Sequence, residues 1–248
     1  MESHNCNAID WLKENRATRF DFLITDPSWG NGKIIKHGSA GKVHMVRQAN
    51  GNVLEVNRQD VAVGWNNQRP PGEFWTLLNV GDVIIKGGDH FSDYLPAGTQ
   101  WLIWDKCSGN SDQGDAELIY TSLNPGSPPR ILRYMWSGFM QGKSIEEGHI
   151  QRGNKKTNEK RMGIACYTPV NLWRMVLQRC VPGGSTMIDP FAGSHSLQRA
   201  AMIENHLNGM DYSVVSIEKV TDTWEKAQIL IKKTKAWIAD PYDKHDIF

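Results

Sequence analysis

The sequence predicts an α/β fold: a mixed, mostly parallel central sheet flanked by helices, with an inserted recognition region. Three observations point to it. Apolar runs of strand length alternate with segments of helical periodicity. Two of those runs stop abruptly at an Asp-Pro pair, Asp26-Pro27 and Asp189-Pro190. Residues 185–213, STMIDPFAGSHSLQRAAMIENHLNGMDYS, read as strand, glycine turn, helix and strand, which is one βαβ unit.

In chain order, residues 8–14, AIDWLKE, place Ile9 and Leu12 three apart beside Trp11 and predict a short amphipathic helix. DFLIT, residues 21–25, reads as a buried strand whose carboxyl end delivers the polar DPSWG loop. Residues 30–58 are rich in Gly, Lys, His, Asn and Arg, with weak alternation around Val43–Val46 and Val53–Val56. They predict a glycine-bordered hairpin or a mobile loop, and no core element. GEFWTLLNV, after Pro70-Pro71, reads as a helix, and DVIIKGG, residues 82–88, as a strand ending in glycines. TQWLIWDK, residues 99–106, is a second buried strand, followed by a polar loop, GNSDQGDAE. ILRYMW, residues 131–136, is strand-like. Residues 142–163 turn polar and basic, and RGNKKTNEKR at 152–161 carries five basic side chains against one Glu, which predicts a flexible basic loop. NLWRMVLQRC is a helix closed by Val181-Pro182-Gly183-Gly184. The last helix, VTDTWEKAQILIKKTKAW, sets Trp224, Ala227, Leu230 and Ile231 on one face, with Thr221 or Thr223 able to cap its start.

Length and composition bound the rest. The 248 residues suit one domain, 1–248, with inserted loops or recognition segments at about 30–70 and 107–163. Hydrophobic residues at 40% and charged residues at 22% exclude a disordered or fibrous chain. A net charge of +1 gives no argument for nucleic acid, so any basic surface must come from local segregation. The four cysteines form no CxxC pair and the eight histidines no HExxH, so neither a disulfide framework nor a metal site is expected. No signal segment and no run approaching about 18 apolar residues is present, so a cytoplasmic location away from membranes is expected. Oligomeric state is left open, a homodimer included.

Two segments carry candidate chemistry. Asp189 to Ser194 form a strand-to-helix turn in which Gly193 lets the backbone approach a ligand. Asp211, expected at the end of the second strand, is set to accept hydrogen bonds from ribose hydroxyls. The turn lacks GxGxxG, which argues against a dinucleotide, and an ordinary strand-to-helix turn shares its pattern. Asp26-Pro27-Ser28-Trp29 brings a carboxylate, a proline carbonyl and a large aromatic into one loop that could grip a flat amine. A capping Asp beside a core Trp would read the same way.

Together the two segments resemble a known family. DPSW after an apolar strand resembles the DPPY or DPPW catalytic motif of S-adenosylmethionine-dependent DNA amino-methyltransferases, and DPFAGS resembles their cofactor motif, DPFxGSGT. Catalytic motif first and cofactor motif 163 residues later resembles the beta group of these enzymes, bacterial and phage members included, some of them parts of restriction–modification systems. GGDHFSDYLP, WLIWDK, DAELIYTS and ILRYMWSG resemble segments between the motifs, so the likeness spans roughly residues 5–232. The resemblance implies a Rossmann-like methyltransferase fold, S-adenosylmethionine as cofactor and DNA as partner. Asp26, Pro27, Ser28 and Trp29 would form the catalytic loop. Asn7, Thr168, Pro169, Asp189, Phe191, Ala192, Gly193, Ser194 and Asp211 would surround the cofactor. Lys155, Lys156 and Arg161 of the basic loop would contact phosphates. The implied reaction is direct methylation of an exocyclic base amine, with adenine N6 favoured by the initial Asp.

Four positions depart from the family pattern. Ser28 stands where a second proline is usual, His195 replaces the second glycine of GSG, IACYTPV at 164–170 stands for HPTQKPV, and Asn7 occupies the place of an adenine-contacting Asp. These departures keep two other readings open: a relative that retained the fold as a nucleic-acid or protein-binding module, and an enzyme that transfers a different group.

Overall fold

A computed structural model of the chain describes residues 1–30, 43–47, 53–57, 68–97, 99–107, 114–136, 142, 159, 162–164 and 166–240. These fall into two compact units. Met1–Pro27 and Pro71–Phe248 form one, and Ser28–Pro70 the other.

In the first unit, Phe20–Thr25 (β2), Val80–Lys86 (β5) and Thr186–Asp189 (β9) make the centre of an eight-stranded sheet. The sheet is completed by Glu2–His4 (β1), Gln100–Asp105 (β6), Ala116–Thr121 (β7), Arg130–Arg133 (β8) and Ser213–Ile217 (β10), in the order β1-β10-β9-β2-β5-β7-β6-β8. Only β7 runs antiparallel to its neighbours. The central strands are short continuous apolar runs because both of their faces are covered: Leu23, Ile24, Ile84, Ile85, Met187 and Ile188 are all fully buried. One face belongs to the main core, where Phe22, Ile24, Ile84, Leu102, Met187 and Val214 pack with Leu172, Trp173 and Val176 of helix Val170–Cys180 (α3) and Leu197 and Ala201 of helix Ser196–Asn208 (α4). Helix Thr221–Ala239 (α5) adds Leu230 to the same core.

Local signals explain most boundaries. Asn7 caps helix Ala8–Glu14 (α1), its Oδ1 accepting from the Ile9 amide at 2.8 Å. Gly209, at φ +62°, ends α4 in the left-handed conformation that suits glycine. At Gly88 a Cβ atom would fall 2.3 Å from the Cβ of Tyr120, so the second glycine after β5 is required by close packing of β7.

Several expectations need correction. Glu2–His4 and Ala116–Thr121 are strands, although the sequence reading left the first unassigned and put the start of the second in a loop. The helix after Pro71 covers only Gly72–Thr76 (α2), because Val80 already belongs to β5. ILRYMW is a strand only through Arg133. The start of α5 has no side-chain cap; Val220 occupies the cap position, and the Thr221 hydroxyl instead donates to Asn5 Oδ1 at 3.0 Å.

In the second unit, Val43–Arg47 (β3) and Val53–Asn57 (β4) pair antiparallel, Val43 opposite Asn57 and Arg47 opposite Val53. The Ser28 hydroxyl donates to the Gln68 carbonyl at 2.8 Å, joining the two ends of this unit.

Candidate active site

The sheet reverses its winding between β9 and β2. From β9 the chain proceeds through α4 to β10 on one side, and from β2 it proceeds to β5 on the other. Between two such strands the carboxyl ends open a crevice, which is where α/β sheets of this kind hold ligands. Asp26-Pro27 and Asp189-Pro190 leave β2 and β9 at this crevice. The strands pair in parallel, Phe22 with Met187 and Leu23 with Ile188, and the Thr25 hydroxyl donates to Asp189 Oδ1 at 2.7 Å.

Asp189 is buried, and its Oδ1 also receives the Phe191 amide at 3.3 Å. Burial pushes its carboxyl up to about 7; the bonds from Thr25 and Phe191 oppose that rise, and the charges of Asp26 and Glu218 add to it. Three carboxylates therefore share the crevice. A cation entering it would relieve an electrostatic penalty already present in the protein.

The turn after β9 is shaped for close approach. Gly193 sits at φ +48°, a Cβ built on it would meet nothing within 4 Å, and its amide donates to Glu218 Oε2 at 3.0 Å. The Ala192 amide is fixed by the Ile217 carbonyl at 2.9 Å, and the Phe191 ring packs on Phe74 with centroids 5.0 Å apart. The Ser194 and Ser196 hydroxyls are bonded to each other at 2.7 Å. His195, in the glycine position of the resembled motif, adopts φ +54°, a conformation glycine takes without cost. Its ring is fully buried, with Nδ1 3.1 Å from Gln198 Oε1, and burial lowers its pKa to about 4. The imidazole is therefore neutral and packed into α4, and it presents no surface to the crevice.

Asp211 is the main correction at the site. It precedes β10, at the amino end of the sheet, opposite the crevice. The sequence reading ended the second strand at the acid it could see, whereas the strand is SVVSI, residues 213–217. The acid at its carboxyl end is Glu218, whose Oε1 accepts from the Val220 amide at 2.7 Å and Oε2 from Gly193. Burial raises its pKa against those bonds.

Asp26 is held from two sides. Lys86 Nζ lies 2.9 Å and the Thr168 hydroxyl 2.6 Å from its Oδ2. Thr168 and Pro169 immediately precede α3, with Pro169 as its cap residue, so the changed IACYTPV segment delivers a donor to Asp26. Lys86, Glu117 and Lys106, which form a buried chain behind Asp26, were not singled out from sequence. Their signal was period-two alternation ending in a charge, in Ile84-Ile85-Lys86 and Trp104-Asp105-Lys106. Asn7 is engaged as the α1 cap. Ser28 and Trp29 belong to the second unit. Lys155, Lys156 and Arg161 lie outside the described residues. Among the described residues no group of His, Cys, Asp and Glu is arranged to hold a metal, and no helix is long and apolar enough to cross a membrane.

No protein-family model matches the chain, and no curated protein matches it. Solved structures do. The chain is similar to M1.HpyAVI in its complex with SAM, at 13% identity, over 92% of this chain and 98% of that one, with a TM-score of 0.51. TTHA0409 of Thermus thermophilus, complexed with S-adenosyl-L-methionine, matches at 13% identity over 94% and 95% with a TM-score of 0.47. The cytosine-N4-specific PvuII DNA methyltransferase matches at 10% over 95% and 91%, also with 0.47. The fold is the Rossmann-like methyltransferase fold. The likeness to M1.HpyAVI runs over nearly the whole of both chains.

Proposed function

We propose that this protein transfers a methyl group from S-adenosylmethionine to an exocyclic base amine in DNA, with adenine N6 as the acceptor. The observation that carries the reading is the Thr25–Asp189 hydrogen bond, which ties the two Asp-Pro motifs to one crevice at the winding reversal. Motifs 163 residues apart in sequence must meet if they serve one reaction, and the pairing of β2 with β9 brings these two together. The acidic set Asp26, Asp189 and Glu218 suits a cofactor that carries a sulfonium and an ammonium, and the open backbone at Gly193 suits close approach of its nucleoside.

In this reading Glu218 accepts from the ribose hydroxyls, and Asp189, Phe191, Ala192, Gly193 and Ser194 line the cofactor, with Asp189 nearest its positive charge. Bound there, S-adenosylmethionine supplies an electrophilic methyl carbon. Asp26 Oδ1 accepts one hydrogen of the amine and the Pro27 carbonyl the other, so that the nitrogen lone pair faces the methyl group. As the methyl carbon passed from the sulfonium to the amine nitrogen, leaving a neutral thioether, Asp26 Oδ1 would take up the amine's surplus proton and hand it on to water. The reaction calls for no covalent enzyme intermediate.

Charge segregation supports DNA as the partner. The Ser28–Pro70 unit holds six Lys and Arg against two Asp and Glu, whereas the remainder of the chain holds twenty-two against twenty-five. Its two-stranded ribbon is of a size that a major groove admits. Lys155, Lys156 and Arg161 are proposed as further phosphate contacts.

The test is calorimetric titration with S-adenosylmethionine, followed by mass spectrometry of nucleosides from DNA incubated with both. Binding and N6-methyladenine are expected. N4-methylcytosine would replace the assigned base, and no cofactor binding at any practical concentration would leave a protein that uses only the fold.

A further inference from the structure

The strand register gathers four charged side chains on one face of the sheet beside the crevice. Alternation puts Asp26 in line with Ile24, Lys86 with Ile84, Glu117 with Ile119 and Lys106 with Trp104. The pairings Ile24 with Ile84, Lys86 with Ile119 and Trp104 with Glu117 then set these residues side by side across β2, β5, β7 and β6. Lys86 is only 5% exposed, and its Nζ bridges Asp26 Oδ2 at 2.9 Å and Glu117 Oε2 at 2.6 Å. Lys106 Nζ reaches the other Glu117 oxygen at 2.5 Å, and the Trp104 ring lies 5.8 Å from one ammonium and 5.3 Å from the other.

The set is neutral, two ammonium groups against two carboxylates, so the buried Lys86 and the partly buried ions around it each have an opposite partner. Burial would lower the pKa of Lys86, but the Asp26 and Glu117 charges overcome it and raise it. Burial likewise works to raise Glu117, and Lys86 and Lys106 overcome it, holding Glu117 down at about 2. Lys86 and Glu117 therefore hold each other in their charged forms. Its outermost member is Asp26, where both contacts, from Lys86 and Thr168, fall on Oδ2. Two donors on one oxygen fix the carboxylate plane and leave Oδ1, among the described residues, as the oxygen turned to other use.

We propose that Lys86, held in place by Glu117 and Lys106, is the positioning residue for Asp26: it pins Oδ2 so that Oδ1 meets the target amine in line for methyl transfer. The inference rests on the methyl-transfer reading above. In this proposal Lys86 acts through Asp26, to which its Nζ is bonded at 2.9 Å. A carboxylate free to rotate would spend most of its time out of line, and misplacement on that scale is costly to a direct transfer.

The decisive experiment is a double-mutant cycle. Lys86→Met with Glu117→Gln removes one charge of each sign and keeps the set neutral overall, so this pair of changes is expected to fold. It should bind S-adenosylmethionine with unchanged Kd and hold its KM for DNA, while kcat falls at least about tenfold. In an Asp26→Ala background the same two changes should cost less than about twofold, because the group they act through is gone. Full kcat in the pair, or an equal loss in the Asp26→Ala background, overturns the proposal. A crystal structure of the pair gives a readout that needs no activity: the Asp26 carboxylate should turn away from its wild-type orientation, and an unchanged orientation also overturns it. Should wild-type protein transfer no methyl group, the functional reading fails, and the crystal structure alone then decides the role of Lys86.

Discussion

The Thr25 hydroxyl donates to Asp189 at 2.7 Å across two parallel strands whose residues stand 164 positions apart in the chain. It links the residue before one Asp-Pro motif to the aspartate of the other. It also fixes the side chain of a buried carboxylate whose ionisation is opposed by its surroundings, and the first prediction follows from that.

Asp189 has its carboxyl pushed up to about 7 by burial, against an ordinary value of 3.8. Between those two values the folded protein holds a proton that the unfolded chain has released. Stability therefore falls as pH rises through that window and stays at its lower level above it. Asp189→Asn, which can still accept from Thr25, should stabilise the ligand-free protein at pH 8, on the order of 2–4 kcal/mol, and change it little near pH 4. Denaturant unfolding at the two pH values checks this. S-adenosylmethionine should in turn bind with proton release, its affinity rising by up to about tenfold per pH unit toward pH 7 and levelling above. A flat profile from pH 5 to 8 would mean that Asp189 does not face the cofactor's charge.

Glu218 and Asp211 make opposite predictions about one substitution. Glu218→Ala should weaken cofactor binding by about ten- to a hundredfold, the worth of hydrogen bonds to a charged acceptor. Asp211→Ala, at the amino end of the sheet, should leave the Kd unchanged within twofold. Calorimetry on both variants is sufficient, and the reverse order of effects would put the cofactor at the wrong end of the sheet.

Asp26→Ala should still bind S-adenosylmethionine, since the cofactor is assigned to the β9–α4 turn and Glu218. Methyl transfer should nevertheless fall at least about a hundredfold, because positioning and a charge-assisted hydrogen bond are lost together. Equal transfer by wild type and variant in a single-turnover assay would show that the wrong loop has been assigned.

The basic segment around residue 155 is checked by salt. If Lys155, Lys156 and Arg161 neutralise phosphates, replacing all three with Ala should flatten the dependence of log Kd on log salt by roughly two to three, about 0.9 for each contact. An unchanged slope would assign the segment to solvent.

The sequence by itself determined the strands that are buried on both faces and the helices with one apolar stripe. Phe22–Ile24 and Val83–Ile85 are continuous apolar runs with sharp ends, and AIDWLKE carries its cap one residue upstream, so local chemistry sufficed. It also determined the two Asp-Pro turns, because proline after aspartate ends a strand wherever the strand lies. What only the tertiary structure decided is which of those ends meet. The second acid of the site was misread for the same reason. Asp211 and Glu218 lie before and after the same five residues, Ser213–Ile217, and the strand's boundaries, set by its pairing with β9 and β1, decide which acid stands at the carboxyl end. The Lys86–Glu117–Lys106 chain was hidden because alternation reveals a face only once strand register is known. Residues on or next to four strands became neighbours through the pairings of β2, β5, β7 and β6, two of them antiparallel, and such pairings are set by packing of the whole sheet against α3 and α4.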